Sequence, residues 1–397
     1  MVVLRILYHI ATGSGNETNP HLDPINRRDI DIHPHDGYDI RMKKGNEPPQ
    51  APQVQHRMLQ RGDLLTLDGR LMEAGWATSL LKRYDRAMIR APKWRIKEWD
   101  YYLIASDFAA LAVTVADNGY MGLDSVSLMD FEQASHLTQT RMTLMPMGKR
   151  ALPADSGSGV VRARGKQYEL TFRKEGAQRH LYGHVYDFGG PRKPLLFDVI
   201  LHEAPDDSMV IATPFAGKPH HFYYNQKINC MPADGRCIYD GQEYLFSPAT
   251  SFGVLDWGRG VWPWRNTWYW ASASGVALGA RFGFNLGYGF GDTQAATENM
   301  LLFDGRAHKL GQVVFDIPIK DGREDWLSPW RIHDDQGRLD LVFEPIVDRN
   351  AYTTTLIIET DQHQVFGRFT GRALLDDGRA VDVANLIGFA EKVRNRF

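Results

Sequence analysis

The feature that most constrains this chain is a rhythm. From about residue 60 to the C-terminus, strand-like segments of about 6–10 residues recur, separated by glycine or Asx-Gly turns. Asp68-Gly69, Asn118-Gly119 and Asp240-Gly241 each stand between apolar runs, which is a hairpin signature. Long segments of helical period are nearly absent, and residues 77–90 are the best candidate for a short helix. Regular strands without intervening helices predict an all-β chain of antiparallel sandwiches or barrels. Two barrels of about eight strands each fit the length better than one. No strict sequence repeat relates the halves, so any symmetry between them is structural.

Composition narrows the class further. A chain of 397 residues with 43% hydrophobic and 24% charged residues can bury a large core without staples. Lys plus Arg is 46 and Asp plus Glu is 48, a net charge of -2, which argues against a general nucleic-acid binder. The two cysteines, Cys230 and Cys237, exclude a disulfide scaffold and a four-cysteine zinc site. They flank MPADGR, read as a turn, and are expected to be free thiols in a reducing compartment. Arg5 and His9 interrupt the apolar opening, and no later stretch reaches ~18 uninterrupted apolar residues. The expectation is a soluble, cytoplasmic protein with no stable membrane insertion. Residues 11–60 hold no Phe or Trp and six of the 20 prolines. Residues 1–55 are therefore read as a disordered extension, dispensable for folding, with His33 and His35 as part of a solvated tail. Residues 56–250 and 251–397 are read as the two barrels.

The chemistry concentrates in FGVLDWGRGVWPWRNTWYW, residues 252–270. Trp257, Trp262, Trp264, Trp268 and Trp270, half of the ten tryptophans, fall within 14 residues. Alternate residues of a strand share a face, so Trp268 and Trp270 point one way and Tyr269 the other. Such a cluster either fills a barrel core or walls a ligand cavity with a few N–H donors. Asp256 lies inside it. A carboxylate among tryptophans loses hydration and gains the character of a general acid. Arg259 is the competing explanation, because the two could pair to hold a turn. In ARFGFNLGYGFGDTQAATENM, Gly283, Gly287, Gly289 and Gly291 alternate with Phe284, Leu286, Tyr288 and Phe290, leaving room on one face for a ligand or for large side chains. Asn285, Asp292, Glu298 and Asn299 supply polar groups there. Tyr223 and Tyr224, before Asn225 and Lys227, must point to opposite faces. His363 reads as an acid/base or as a hydrogen-bonded structural residue. No P-loop, Ser elbow or His-Glu-x-x-His pattern occurs.

WRIKEWDYYL, ADNGYMG, YYNQKINCMPADG, FGVLDWGRGVW, NTWYWASASG, GYGFGDTQAATENM, TDQHQVFGRFTG and GFAEKVRNRF closely resemble a large, mostly bacterial family known only as a domain of unknown function. The resemblance spans about residues 60–397. More distantly, Tyr223-Tyr224, Leu255-Asp256-Trp257, the Trp268–Trp270 strand and the closing GFAEK resemble the carotenoid 1,2-hydratase (hydroxyneurosporene synthase) group. That resemblance implies two lipocalin-like (calycin) barrels in tandem. Asn225 stands where those relatives carry Ser, Trp257 where they carry His, and Gly258 where they carry an acid. A water-addition mechanism would therefore lack the His and the second acid beside Asp256.

Together these readings predict a pocket for a hydrophobic small molecule, polyene, terpenoid or lipid-like. It would serve a cofactor-free hydratase, isomerase or cyclase acting by protonation, or else a non-catalytic carrier or sensor. Asp256 is the expected proton donor. Trp257, Arg259, Trp262, Trp268, Trp270, Tyr288 and His363 are expected at the ligand, with Tyr223 and Asn285 as polar positioners. No metal or organic cofactor is implied.

Overall fold

A computed structural model describes residues 54–204, 206–354 and 359–396. The extension read over residues 1–55, with His33 and His35, lies outside the described residues up to residue 53. Gln55 is described: its side chain bonds the Leu310 carbonyl and the Thr297 amide.

The described chain is all-β, built as two curled, half-barrel sheets. The first sheet runs, in spatial order, Ser135–Leu144, Met121–Asp130, Ala109–Asp117, Ile96–Ala105, Phe252–Val261, Lys218–Tyr239, Leu195–His202, Gln178–Val185, Tyr168–Glu175 and Gly159–Gly165. The second runs Arg306–Lys309, Met300–Phe303, Ala280–Tyr288, Arg265–Ala277, Ala380–Arg396, Glu359–Leu374, Leu339–Thr354, Trp330–Asp334 and Val313–Asp316. Most neighbours are joined by short turns, so pairing is antiparallel throughout both paths. Sheet membership changes between Val261 and Arg265. Residues 252–261 therefore go with the first sheet, between the strands Ile96–Ala105 and Lys218–Tyr239.

The hairpins read at Asn118-Gly119 and Asp240-Gly241 form as expected. No α-helix occurs among the described residues. The candidate at 77–90 instead holds the short strand Lys82–Arg83, paired with Gly62–Asp63, and a 3-10 turn, Arg86–Met88. MPADGR is not a turn either. Cys230 and Cys237 lie in one 22-residue strand, Lys218–Tyr239. That strand bends at a bulge between Ile228 and Met231, where Cys230 takes a positive φ of 59°. Both cysteines are buried free thiols, pushed up to about 12 by burial. No helix among the described residues is long and apolar enough to cross a membrane.

Strand alternation sorts the core into three parts. Tyr102, Tyr224, Leu255 and Trp257 fill the inside of the first half-barrel. Tyr269, Phe284, Tyr288 and Phe343 fill the second. Tyr101, Tyr223, Val254 and Trp262 from the first sheet meet Trp270, Met300, Phe366 and Phe389 from the second in a third cluster. The two sheets thus pack outer face against outer face, and the seam between them is a core of its own.

Candidate functional site

Period-2 alternation carries Trp99 and Tyr101 of the strand Ile96–Ala105 into the seam. It does the same for Tyr223, Asn225, Lys227 and Asn229 of Lys218–Tyr239, and for Asp256 of Phe252–Val261. The Asp256 carboxylate accepts a hydrogen bond from Asn225 Nδ2 at 2.6 Å and another from Trp99 Nε1 at 3.1 Å. Trp99 stacks on Tyr223, whose other side stacks on Phe290. Trp262 meets Trp99, Tyr223 and Trp268 edge-on, with centroids 5.3–5.6 Å apart. These rings make one continuous aromatic wall.

The second sheet supplies the opposite side. Trp268 and Trp270 point into the seam and Tyr269 away from it, as read from the sequence. Trp268 Nε1 donates to Glu391 at 2.8 Å, and Gln364 Nε2 donates to the other oxygen at 2.9 Å. Burial pushes the Glu391 carboxyl up to about 7, with the Asp256 charge adding to the shift and Trp268, Arg349 and Lys227 opposing it. Trp270 Nε1 donates to Asn285 Oδ1 at 2.7 Å, and Asn285 Nδ2 donates to the Glu298 carbonyl. Burial also raises the Glu298 carboxyl, with Lys227 opposing it and Asp256 reinforcing it. The room read around the glycines is real at Gly287, where an added Cβ would lie 2.2 Å from Glu298 Oε1. Lys227, 1% exposed, places its ammonium 3.8 Å over the Trp270 ring and 3.8 Å from Glu298 Oε1.

Three carboxylates therefore share an aromatic compartment with Lys227 and the nearby Arg349. Asn225 Oδ1, Asn229 Oδ1 and Trp262 Nε1 are buried there without hydrogen-bond partners among the described residues. Buried polar atoms are normally satisfied, so such orphans gathered in one compartment mark a place for water or ligand. The aromatic rings close on one another across it.

Of the residues expected at the ligand, Asp256, Tyr223, Trp262, Trp268, Trp270 and Asn285 meet in this seam. Trp257, Arg259, Tyr288 and His363 do not. Trp257 faces the first half-barrel, edge-on to Tyr84 and Tyr224. Arg259 is on the same inner face and pairs with Asp100 at 2.9 Å, not with Asp256. Its Nη1 also donates to the Trp99 and Gly258 carbonyls. The reason is plain: residues 252–261 are an uninterrupted strand, so positions three apart face opposite ways. Tyr288 stacks on Tyr269 inside the second half-barrel. His363 bonds Asp348 at 2.7 Å and stacks on Trp326 at 4.0 Å, away from the tryptophan wall. Trp99, Asn225, Lys227 and Glu391 were missed. A signal existed for Asn225 and Lys227, which share the strand face of Tyr223. Glu391 shares the closing strand with Asp382, and nothing in the sequence sets it apart.

An all-β chain of two half-barrel sheets, with a charged and aromatic seam between them, is the class that fold and site define. The chain belongs to the family described as a domain of unknown function (DUF2804), whose profile matches residues 55–397. A comparison with curated protein sequences finds no match. Among solved structures, one described as an AttH, from Nitrosomonas europaea, is similar at 12% identity, over 80% of this chain and 98% of the other, with a TM-score of 0.46. Kievitone hydratase from Nectria haematococca is similar at 9% identity, over 76% and 88%, with a TM-score of 0.41. CghA with Sch210972 is similar at 11% identity, over 76% and 88%, with a TM-score of 0.42.

Proposed function

We propose that the seam binds a hydrophobic small molecule, polyene, terpenoid or lipid-like, and that the protein is a cofactor-free enzyme moving a proton on it. One observation carries the reading: Asp256, Glu298 and Glu391 converge in an aromatic compartment, with Lys227 and Arg349 among the cations that oppose them. Buried acids cost stability, and that cost is characteristic of sites that do chemistry. Glu391 suits the proton donor better than Asp256, because a carboxyl near 7 is both populated and acidic at neutral pH. Asp256, held by Asn225 and Trp99, then faces the developing cation as a fixed negative charge. Trp262, Trp268 and Trp270 offer ring faces to the same charge. Tyr223 and Asn285 position the ligand and Glu298. In this scheme the ligand replaces the ring-on-ring contacts that now close the seam.

cis-Parinaric acid, a fluorescent polyene, tests the binding step through energy transfer from the seam tryptophans. Transfer should appear with the wild type and weaken in Trp270→Phe. Native mass spectrometry of protein from its host should show a copurifying apolar molecule. Wild-type protein should convert that molecule, and Glu391→Gln should bind it without converting it. A bound molecule returned unchanged by the wild type would make the protein a carrier. No polyene binding and no copurifying molecule would overturn the seam site.

A further inference from the structure

The first half-barrel holds a second site that the seam reading does not use. A cleft of about 610 Å³ opens at one end of it, between residues 61–63, 80–84 and 154–157. Its wall includes Gln226, on the inner face of the sheet, and Glu203, just past the end of the strand Leu195–His202. Gln226 lies between Tyr224 and Ile228 of the first core. Glu203 follows Val199 and Leu201 at the same two-residue step. Both groups are held rigidly. The Gln226 amide donates to Ser208 Oγ at 2.9 Å and accepts from Ser156 Oγ. The Glu203 carboxylate accepts from Arg179 Nε at 2.6 Å and pairs with Lys174 at 2.8 Å. The same Arg179 guanidinium, 2% exposed, leaves Nη2 without a hydrogen-bond partner among the described residues. Among the described residues, Phe282, Phe284, Phe343, Phe369 and Trp330 pack the second half-barrel with large aromatic side chains.

We infer that this cleft binds a neutral, polyhydroxylated molecule of the mono- or disaccharide class. Charge excludes an ionic ligand. Arg61, Lys82 and Arg83 on the wall balance Asp63, Asp155 and Glu203. Most of these charges are already paired, Arg83 with Asp63, Lys82 with Glu73, and Glu203 with Arg179 and Lys174. The two that are not, Arg61 and Asp155, are exposed and of opposite sign, so the wall offers an ion no net charge. An apolar ligand fits no better, because it would cover the exposed Arg61 and Asp155 charges without replacing their hydration. Vicinal hydroxyls both donate and accept, which matches a fixed carboxylate, an amide and a serine on one wall. Leu80 and Leu81 supply an apolar strip for the C–H face of a sugar ring. The volume lies in the usual range for small-molecule sites.

The test uses the full chain, with maltose, trehalose, sucrose, cellobiose and N-acetylglucosamine as probes, read by saturation-transfer difference NMR. At least one should receive saturation from the wild type. Gly62→Trp should abolish that transfer by filling the cleft. An added Cβ at Gly62 meets nothing within 4 Å, so this variant should keep the wild-type melting temperature. Glu203→Gln, which retains size, should weaken binding. Trp270→Phe, in the seam, should leave saccharide binding unchanged, so failure of the seam reading would not touch this one. No transfer to any of the five sugars, or transfer that survives Gly62→Trp, would overturn the assignment. Loss of cis-parinaric acid binding in Gly62→Trp would also overturn it, by showing that the cleft takes the apolar ligand.

Discussion

Glu391→Gln should abolish a pH-dependent loss of stability. The Glu391 carboxyl is raised from an ordinary value of 4.5 to about 7 by burial between Trp268 and Gln364. A folded-state pKa above the unfolded one means that the native protein holds this proton more tightly. The stability it confers is complete below about pH 4.5 and is lost as pH rises towards 7. At ~1.36 kcal/mol per pKa unit, the difference of 7 less 4.5 amounts to roughly 3 kcal/mol. Glutamine cannot ionise, so the variant escapes this loss. It does carry a constant penalty, because its amide N–H₂ now faces one of the two donors, at a cost of about 1–3 kcal/mol. The informative quantity is therefore the stability difference between variant and wild type as a function of pH. It should move in the variant's favour by roughly 3 kcal/mol between pH 4.5 and about 7, then flatten. Guanidinium unfolding followed by tryptophan fluorescence, at matched pH values from 4 to 8.5, measures it. A difference that stays flat across that window would refute the argument, since it would mean that Glu391 ionises at its ordinary pKa in the folded protein.

Other expectations follow from named contacts. Arg259→Met should cost about 3–5 kcal/mol in chemical unfolding, because it strands the buried Asp100 carboxylate. Adding Asp100→Asn should recover part of that loss. Gly287→Ala should strongly reduce the yield of folded protein, because its Cβ would sit 2.2 Å from Glu298 Oε1 and 2.8 Å from the Tyr269 carbonyl. Gln55→Ala should lower stability by about 1–3 kcal/mol, since the Thr297 amide loses its acceptor, while the Thr297 hydroxyl keeps the Leu310 and Gly311 carbonyls.

The fold was legible because it rests on local signals. Asn118-Gly119 and Asp240-Gly241 make hairpins whose geometry depends on two residues each. Trp268 and Trp270 fall on one face and Tyr269 on the other because strand geometry alone decides it. The candidate site was legible only as far as those local rules reach. Asp256 and Arg259 are close in sequence, and their pairing across a turn looked natural. The continuous strand sends them to opposite faces, and Arg259 finds Asp100 instead, 159 residues away. Glu391 reaches Trp268 from 123 residues away, through the pairing of Arg265–Ala277 with the closing strand Ala380–Arg396. Nothing in either segment announces that register. The sequence also offered one barrel interior as the natural home for a cavity. The polar seam arises from packing two outer faces together, which is a tertiary event with no periodicity of its own.

The seam's composition is hard to explain by stability alone. Two sheets with outer faces of valine, leucine and phenylalanine would bury the same surface without desolvating any charge. An apolar replacement of a buried ionic group is often neutral or stabilising. Here burial raises the Glu298 and Glu391 carboxyls, the Asp256 charge adds to both shifts, and each of the three is buried. The donors that compensate them are weak and precise: two indole N–H groups, an asparagine and a glutamine. Lys227, the buried cation of the cluster, spends its charge on the face of Trp270 and stays 3.8 Å from Glu298. A structural ion pair would close that gap. The arrangement instead keeps acids, cation and ring faces apart at fixed positions, so that a proton held by Glu391 and a positive charge near Trp270 have places prepared for them before any ligand enters.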